Sequence, residues 1–458
     1  MPLNEGQTVQ YTVVTTNTAD GTTLYWKTTG NTTNSDIVGG NTGSITITNN
    51  RAYINVTMSS DESPDGTKTL GIALLTGSLN GTQVTTTADS IVINDTSNTA
   101  PPPTSFTLYV WGDLTGDNTS VRRSSPVQIG STAEWLVAGL MNVKNNGTLW
   151  AWGRNQRGQL GLNDLANRSS PTQVGSSTDW IPYSGQESVA QNDETTLFVK
   201  NNGTLWSWGY NGNGAFGVLG LNDQVYRSSP TQVGSGTTWS KVSIGSNFSR
   251  RAVIAIKTDG TLWAWGDNQY GQLGINSQGT HRSSPTQVGS DTTWSKIFSG
   301  GCNMLAIKTN GTLWAWGLGF TGANGQNDGV YKSSPTQVGA LTTWTSIGGN
   351  GHGMAGISNG QLYYWGGWFQ LVNGGYSYKS SPTQIGSDTN WLKISAGNPI
   401  TLLKTNGTLW SAGYNGDGVA GLNNTTAYTS PKQIGSKTSW VGISSNYIGS
   451  VQSALSSE

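Results

Sequence analysis

Short runs of strand-type alternation, separated by Gly, Asn and Asp, organise this chain. The most regular runs from Asn310 to Gly317, Asn-Gly-Thr-Leu-Trp-Ala-Trp-Gly. With a period of two, Leu313, Ala315 and Gly317 fall on one face and Trp314 and Trp316 on the other, and neither face is polar. A strand of this kind must be covered on both sides. Stacked sheets do this when the small face of one receives the bulky face of the next, the packing of wedges set around an axis. The same block starts at Leu108, Leu149, Leu205, Leu262, Leu362 and Leu409, which with Leu313 makes seven copies. Asn146-Gly147, Asn202-Gly203, Asp259-Gly260, Asn310-Gly311, Asn359-Gly360 and Asn406-Gly407 precede six of them. A two-residue type I′ turn, with positive φ at both central residues, is predicted at each.

A second block recurs with the first. Its prolines are Pro126, Pro171, Pro230, Pro285, Pro335, Pro382 and Pro431, and its tryptophans Trp135, Trp180, Trp239, Trp294, Trp344, Trp391 and Trp440. Proline cannot donate to a ladder, so Ser-Ser-Pro marks an edge or a strand start and Thr-Gln-Val-Gly a short outer strand. Each copy then offers about four strands, at a period near 50 residues.

The combined pattern, Trp-Gly-x-Asn-x-x-Gly-Gln-Leu-Gly (Trp152 to Gly161, Trp265 to Gly274) followed by Arg-Ser-Ser-Pro-Thr-Gln-Val-Gly, resembles the regulator of chromosome condensation repeat. The resemblance covers all seven copies and about three quarters of the chain, and implies a seven-bladed β-propeller. The family's best-known member catalyses nucleotide exchange on a small GTPase and docks on chromatin; others inhibit enzymes or serve as scaffolds. Copy one begins abruptly at Phe106-Thr107-Leu108, whereas Ser450 to Leu455 occupies the place of a strand before the turn. The C-terminal strand is therefore expected beside Leu108 to Trp111, closing the ring and removing exposed sheet edges.

Residues 1–97 hold no copy of the repeat. Alternating strands are predicted at Thr8 to Thr15, Thr22 to Thr28, Gly43 to Thr48, Ala52 to Met58, Thr69 to Leu75 and Ser90 to Asn94, a β-sandwich pattern. Asn4-Glu5-Gly6, Ser35-Asp36, Asp61 to Gly66 and Ile91 to Asp95 resemble the Calx-beta family, an immunoglobulin-like sandwich. That resemblance implies calcium ligands at Glu5, Asp36, Asp61, Asp65 and Asp95, since a hard cation takes six to eight oxygens. Lys68, where the family carries acid, competes with the cation, and solvated acidic loops are the other reading. Residues 98–105, with Pro101, Pro102 and Pro103, read as a semi-rigid linker, leaving 106–458 to the propeller. The fold class is all-β.

Composition narrows the chemistry. Only 10% of residues are charged and the formal net charge is +0, so the basic footprint of a nucleic-acid binder is missing. The single cysteine, Cys302, excludes an internal disulfide and reads as a small buried residue. No run of apolar residues approaches a membrane span and the N-terminus lacks the features of a signal peptide, so neither membrane insertion nor a secretion signal is expected. The two histidines, His281 and His352, lie in different copies, which leaves no credible triad or metal motif and predicts a non-enzyme. Arg123, Arg168, Arg227, Arg282, Lys332 and Lys379 form a ring of cations beside Ser-Ser-Pro, read as paired with loop acids such as Asp164, Asp223 and Asp328 rather than as a polyanion site.

Binding is sought where copies depart from the pattern. Copy six carries Trp368, Phe369, Tyr376 and Tyr378 in place of the usual loop, and an extended loop brings Arg250 and Arg251; both sets are binding candidates, for a sugar or a protein. Extracellular-type modules without a secretion route resemble virion proteins of tailed bacteriophages. The expectation is a phage tail-fibre, spike or decoration protein on the virion surface. Its sandwich would dock to other virion proteins and its propeller to a host surface glycan or protein, as a homo-oligomer if the particle requires it. A bacterial adhesin and an intracellular GTPase regulator are the alternatives.

Overall fold

The computed structural model describes residues 3–4, 8–14, 19, 21–30, 42–48, 51–57, 68–76, 83–86, 91–94, 106–113, 115–119, 121–139, 141–182, 185–212, 216–245, 251–320, 322–349, 353–367, 378–395, 397, 399–445 and 451–458. Among them every regular element is a strand, apart from one 3-10 turn at Gly185–Ser188. The chain divides into two compact units, Met1–Thr104 and Ser105–Glu458. The proline-rich spacer lies outside the described residues.

The first unit holds two sheets. One orders Leu3–Asn4, Ile91–Asn94, Lys68–Thr76, Thr23–Gly30 and Thr42–Thr46, with Gln83–Thr86 also paired to Lys68–Thr76. The other pairs Thr8–Val14 with Arg51–Thr57. Val13, Ile54 and Val56 from the small sheet and Leu24, Leu70, Ile72 and Leu74 from the large one share a single core.

The second unit holds seven sheets, one per copy, numbered here in that order. In the fifth, Trp344's counterpart Trp294 opens the innermost strand, Trp294–Ser299; Asn303–Lys308, Leu313–Gly317 and Lys332–Gln337 follow outward. The outer strand starts at the cation, ahead of the proline, and slips register across a bulge opposite Ala315 and Gly317. In the second sheet the innermost strand is reduced to a bridge from Trp135 to Lys144. The first sheet draws on both ends of the unit: Val451–Ser456 lies antiparallel to Thr107–Gly112, with Val451 opposite Gly112 and Ser456 opposite Thr107. A cavity of about 200 Å³ is lined by the innermost segments of all seven sheets, through Ala138, Val189, Val242, Ile297, Ile347, Ile394 and Ile443.

The alternation of the repeat sets the packing. Met304, Ala306, Trp314 and Trp316 face the fourth sheet, against Ala252, Ile254, Leu262 and Ala264. Leu305, Ile307, Leu313 and Ala315 face the sixth, where they meet Met354 and Trp365. In six of the seven blocks the tryptophan before the closing glycine is fully buried, and in five of them its indole N–H donates to a backbone carbonyl in the loop of the preceding sheet. Trp208 reaches Gln159 O (2.9 Å), Trp265 reaches Val218 O (2.7 Å), Trp316 reaches Gln272 O (2.9 Å) and Trp365 reaches Ala323 O (2.9 Å). Trp111 of the first sheet reaches Val419 O of the seventh (3.0 Å). Beside each indole a backbone N–H of the same loop donates to a serine carbonyl in the next outer strand, as Asn276 does to Ser333 and Asn423 to Ser124 (both 2.8 Å). Gly271 permits that approach, because a Cβ there would lie 2.7 Å from Ser333 Cα.

The expected type I′ turn occurs in one hairpin only. In the sixth sheet Asn359 and Gly360 both have positive φ (51° and 71°) and Ser358 pairs with Gln361. Elsewhere the loop is one residue longer: the N–H of Gly147 donates to Lys144 O, and only Gly147 is left-handed (φ 77°). The added Asn-x-Thr chemistry accounts for the difference. Asn146 Oδ1 accepts from Thr148 N–H (3.1 Å) and Oγ1 (2.7 Å), and Thr148 Oγ1 accepts from the Trp150 indole (2.7 Å).

One interface departs from the scheme. The seventh sheet has Ala412 where the others carry the buried tryptophan, and the sixth has Tyr364 where they carry Ala, Ser or Val. Tyr364 is 3% exposed and packs with Trp391, Ile400, Leu402 and Ala412, so its ring occupies from the sixth sheet the volume that an indole of the seventh would fill. Two predictions come from these contacts. Tyr364→Ala should cost about 3–5 kcal/mol, and Ala412→Trp in the same chain should recover part of it, read as a coupling in a double-mutant cycle of urea unfolding. Removing Val451–Ser456 strips Trp440–Ser445 and Thr107–Gly112 of their shared partner; loss of the near-UV thermal transition and aggregation on size exclusion are the expected outcomes.

Candidate functional site

Antiparallel order puts the loop between the first and second strands of a sheet and that between its third and fourth on one rim. The asparagine of the Trp-Gly-x-Asn pattern makes the second loop stiff. Asn155, Asn211, Asn268 and Asn415 are fully buried. Asn155 donates to Asp164 O (3.0 Å) and accepts from Leu160 N–H (2.9 Å), and Asn211 does the same with Asp223 O (3.0 Å) and Leu219 N–H (2.9 Å). These loops present their side chains on a fixed backbone.

Five of the cations ahead of Ser-Ser-Pro are engaged within their own loops. Arg168 pairs with Asp164 and Arg227 with Asp223 (2.5 Å each), Lys332 with Asp328 (2.8 Å), and Arg123 Nε donates to Asp117 (2.6 Å). The hydrogen bond from Lys332 holds the Asp328 carboxyl below its ordinary value. The Arg282 guanidinium donates to His281 O (3.2 Å).

A second regularity links neighbouring loops. The residue before the loop glycine of one sheet meets the residue before the cation of the next, through changing chemistry. Asp417 and Arg122 form an ion pair (2.6 Å), Arg157 lies over Tyr226 (5.9 Å), Phe216 stacks on His281 (3.7 Å, 12° between planes), and Tyr270 meets Tyr331 edge-on (5.4 Å). Phe216 does so at φ 50°, a conformation unusual for a bulky residue. His281 Nδ1 accepts from Asn268 N–H (3.0 Å), so this histidine serves the loop.

The same rim carries most of the exposed apolar surface. Val121, Leu165, Val225, Tyr226, Phe320, Val330, Tyr331, Tyr378 and Tyr414 are exposed there, against Ile181, Leu341 and Leu392 on the opposite rim, among the described residues of this unit. Of the binding candidates from the sequence, Tyr378 is exposed at 56% and belongs to this surface. Arg251 departs from expectation. It is buried (7%), pairs with Glu194 (2.5 Å) and lies over the Tyr210 ring (4.6 Å), which ties the third and fourth sheets together. Trp368, Phe369, Tyr376 and Arg250, and the acidic set Glu5, Asp36, Asp61, Asp65 and Asp95, fall outside the described residues. Among those described, no group of three or more metal-ligating side chains comes together. The sequence signal for the rim is an apolar or aromatic residue one to three places ahead of the cation of Ser-Ser-Pro, as in Gln224-Val225-Tyr226-Arg227 and Gly329-Val330-Tyr331-Lys332.

Models of the regulator of chromosome condensation (RCC1) repeat match residues 146–181, 202–250 and 259–307, and a second model of the same repeat matches 187–215 and 239–272. The ultraviolet-B receptor UVR8 of Arabidopsis thaliana is 31% identical over 185 residues, 38% of each chain. A protein RCC2 homolog of Danio rerio is 32% identical over 140 residues, 30% of this chain and 26% of its own. The chain thus spans less than two fifths of the length of these curated relatives. Among solved structures, yeast RCC1 (Prp20) bound to Kap60 superposes with a TM-score of 0.64 at 18% identity, covering 77% of this chain and 89% of that one. The chain carries RCC1 repeats, and its second unit has the fold of an RCC1-type β-propeller.

Asp193 shares the rim with Glu194, and burial, opposed by Arg154, raises its carboxyl to about 6. Such a group keeps its proton in the folded state where the unfolded chain releases it, so stability falls as pH rises from about 4 through about 6. Asp193→Asn should therefore raise the melting temperature at pH 8 and leave it unchanged near pH 4, as followed by calorimetry.

Proposed function

We propose that this chain is a non-enzymatic binding protein whose seven sheets close into a seven-bladed propeller, and that it engages a protein partner through the loop rim. The concentration of exposed aliphatic and aromatic side chains on loops braced by buried asparagines carries this reading. Four of the six rim cations, Arg123, Arg168, Arg227 and Lys332, are neutralised by acids of their own loops, so the surface offers little to a polyanion and much to a partner that buries tyrosine and phenylalanine. Closure is supported by the pairing of Val451–Ser456 with Thr107–Gly112 and by the indole contact from Trp111 to the seventh sheet. A solved relative of the same fold is a complex with another protein, yeast RCC1 with Kap60.

We further propose, from the Calx-beta resemblance of the first unit and the low-charge Thr/Asn/Gly-rich propeller, that the setting is the surface of a tailed-phage particle, with an immunoglobulin-like first unit, able to take calcium, as the docking module. Immunogold labelling of particles with an antibody against the propeller tests this, and unlabelled virions would refute it.

The rim is tested by a triple variant, Phe320→Ser, Tyr331→Ser and Tyr378→Ser, in whole-cell binding and protein-array assays, with a glycan array in parallel. Binding should fall at least about tenfold with the melting temperature unchanged, while Leu392→Ser on the opposite rim has no effect. Retained binding by the triple variant would remove the rim from the function.

A further inference from the structure

Six sheets clamp an ammonium between two aromatic rings. In five, the lysine two places before the hairpin Asn or Asp lies between the tryptophan that follows the Ser-Ser-Pro block and the first tryptophan of the third strand. Lys200 sits 4.0 Å from the Trp180 ring and 4.6 Å from Trp206, Lys308 4.8 Å from Trp294 and 3.8 Å from Trp314, and Lys404 4.5 Å from Trp391 and 4.2 Å from Trp410. In the first sheet Lys437 reaches Tyr109 and Trp440 from the preceding loop. Several of these lysines also hold a carboxylate: Asp179 for Lys200 (2.8 Å), Asp291 for Lys308 (2.5 Å) and Asp388 for Lys404 (2.7 Å).

The sixth sheet keeps the rings and loses both charges. Its register sets Ser358 opposite Trp344, where Lys308 stands opposite Trp294 and Lys404 opposite Trp391. Trp344 and Tyr363 remain 5.3 Å apart at 62°, close to the 5.8 Å and 81° of Trp294 and Trp314. Among the described residues no cation lies over either ring. Ser358 is buried with its hydroxyl 2.6 Å from that of Thr343, and Trp344 is 3% exposed beside a half-buried Tyr363, so a ligand reaches the indole by parting the two rings. At the position of Asp291 stands Leu341, exposed at 43%.

We propose that Trp344 and Tyr363 form a cage for an alkylammonium group supplied from outside the chain, with a preference for a quaternary or trimethylated nitrogen. The ring faces attract a cation as they do in the other six sheets. A primary ammonium needs hydrogen-bond acceptors, which the aspartates provide elsewhere and which Leu341 withholds here. N-methyl groups need none and pack against an apolar side chain. The ligand is a trimethyllysine side chain or a choline-like small molecule.

Titration of the full chain with tetramethylammonium, choline, and peptides bearing trimethyllysine or unmodified lysine, followed by tryptophan fluorescence and indole N–H NMR shifts, tests the proposal. Saturable shifts are expected with the methylated ligands, and about tenfold weaker binding of the unmodified peptide. Tighter binding of the trimethyllysine peptide than of choline would identify a protein tail as the source, and the reverse a free small molecule. Ser358→Lys should abolish binding by supplying an internal ammonium, with circular dichroism unchanged. If that variant fails to fold, Leu341→Asp should shift the preference toward the unmodified lysine peptide. No saturable response to any methylated ligand, or equal response of wild type and folded Ser358→Lys, would overturn the cage.

Discussion

The seating of one indole in the loop of the preceding sheet is the contact on which the second unit rests. It couples three requirements that a stack of sheets has to meet together: bulk to fill the wedge, a donor to satisfy a loop carbonyl, and a fixed distance between neighbours. Trp265, Trp316 and Trp365 meet all three with fully buried rings and hydrogen bonds of 2.7–2.9 Å. A phenylalanine would fill the space and strand the carbonyl, a cost of about 1–3 kcal/mol for a buried group. The glycines of the receiving loop then follow from the indole, since the next sheet's outer strand comes within contact of their backbone.

The interface between the sixth and seventh sheets shows that the requirement for bulk can be met from either side. Tyr364 and Ala412 exchange large and small across the boundary and keep the volume. The cost falls on the polar part: the tyrosine hydroxyl is buried without a hydrogen-bond partner among the described residues. The sixth sheet departs in other ways as well, with the shorter type I′ hairpin, Ser358 in place of lysine and Leu341 in place of aspartate. This sheet has shed the lysine and the Asn-x-Thr chemistry of its neighbours, and the aspartate found at this position in the fifth and seventh, yet kept its aromatic pair.

The rim shows a division of labour within each loop. The buried asparagine and the cation-carboxylate pair fix the backbone, and the residues before the loop glycine and before the cation vary in how they touch the next loop. That freedom accounts for the range of contacts seen at equivalent positions, from an ion pair at Asp417 and Arg122 to ring stacking at Phe216 and His281. A scaffold stiffened in this way can change what its surface recognises without changing its shape.

The sequence by itself determined the strands, the seven copies and the faces of the tryptophans, because alternation, turn residues and period are local properties of the chain. It also pointed to Asp164, Asp223 and Asp328 as partners of the rim cations, since each pair is four residues apart. Tertiary structure decided what depends on distant residues meeting. Arg251, expected from the sequence as a binding residue of an extended loop, is buried on Glu194, 57 positions away. The lysine clamps need three strands in register, and the exchange of Tyr364 and Ala412 needs two sheets in contact. The hairpins differ from the sequence expectation for a subtler reason: Asn-Gly suits a type I′ turn, but the threonine hydroxyl that follows bonds back to the asparagine and favours the longer loop. Local patterns fix which residues form strands, and only the closeness of neighbouring sheets fixes which side chains answer one another.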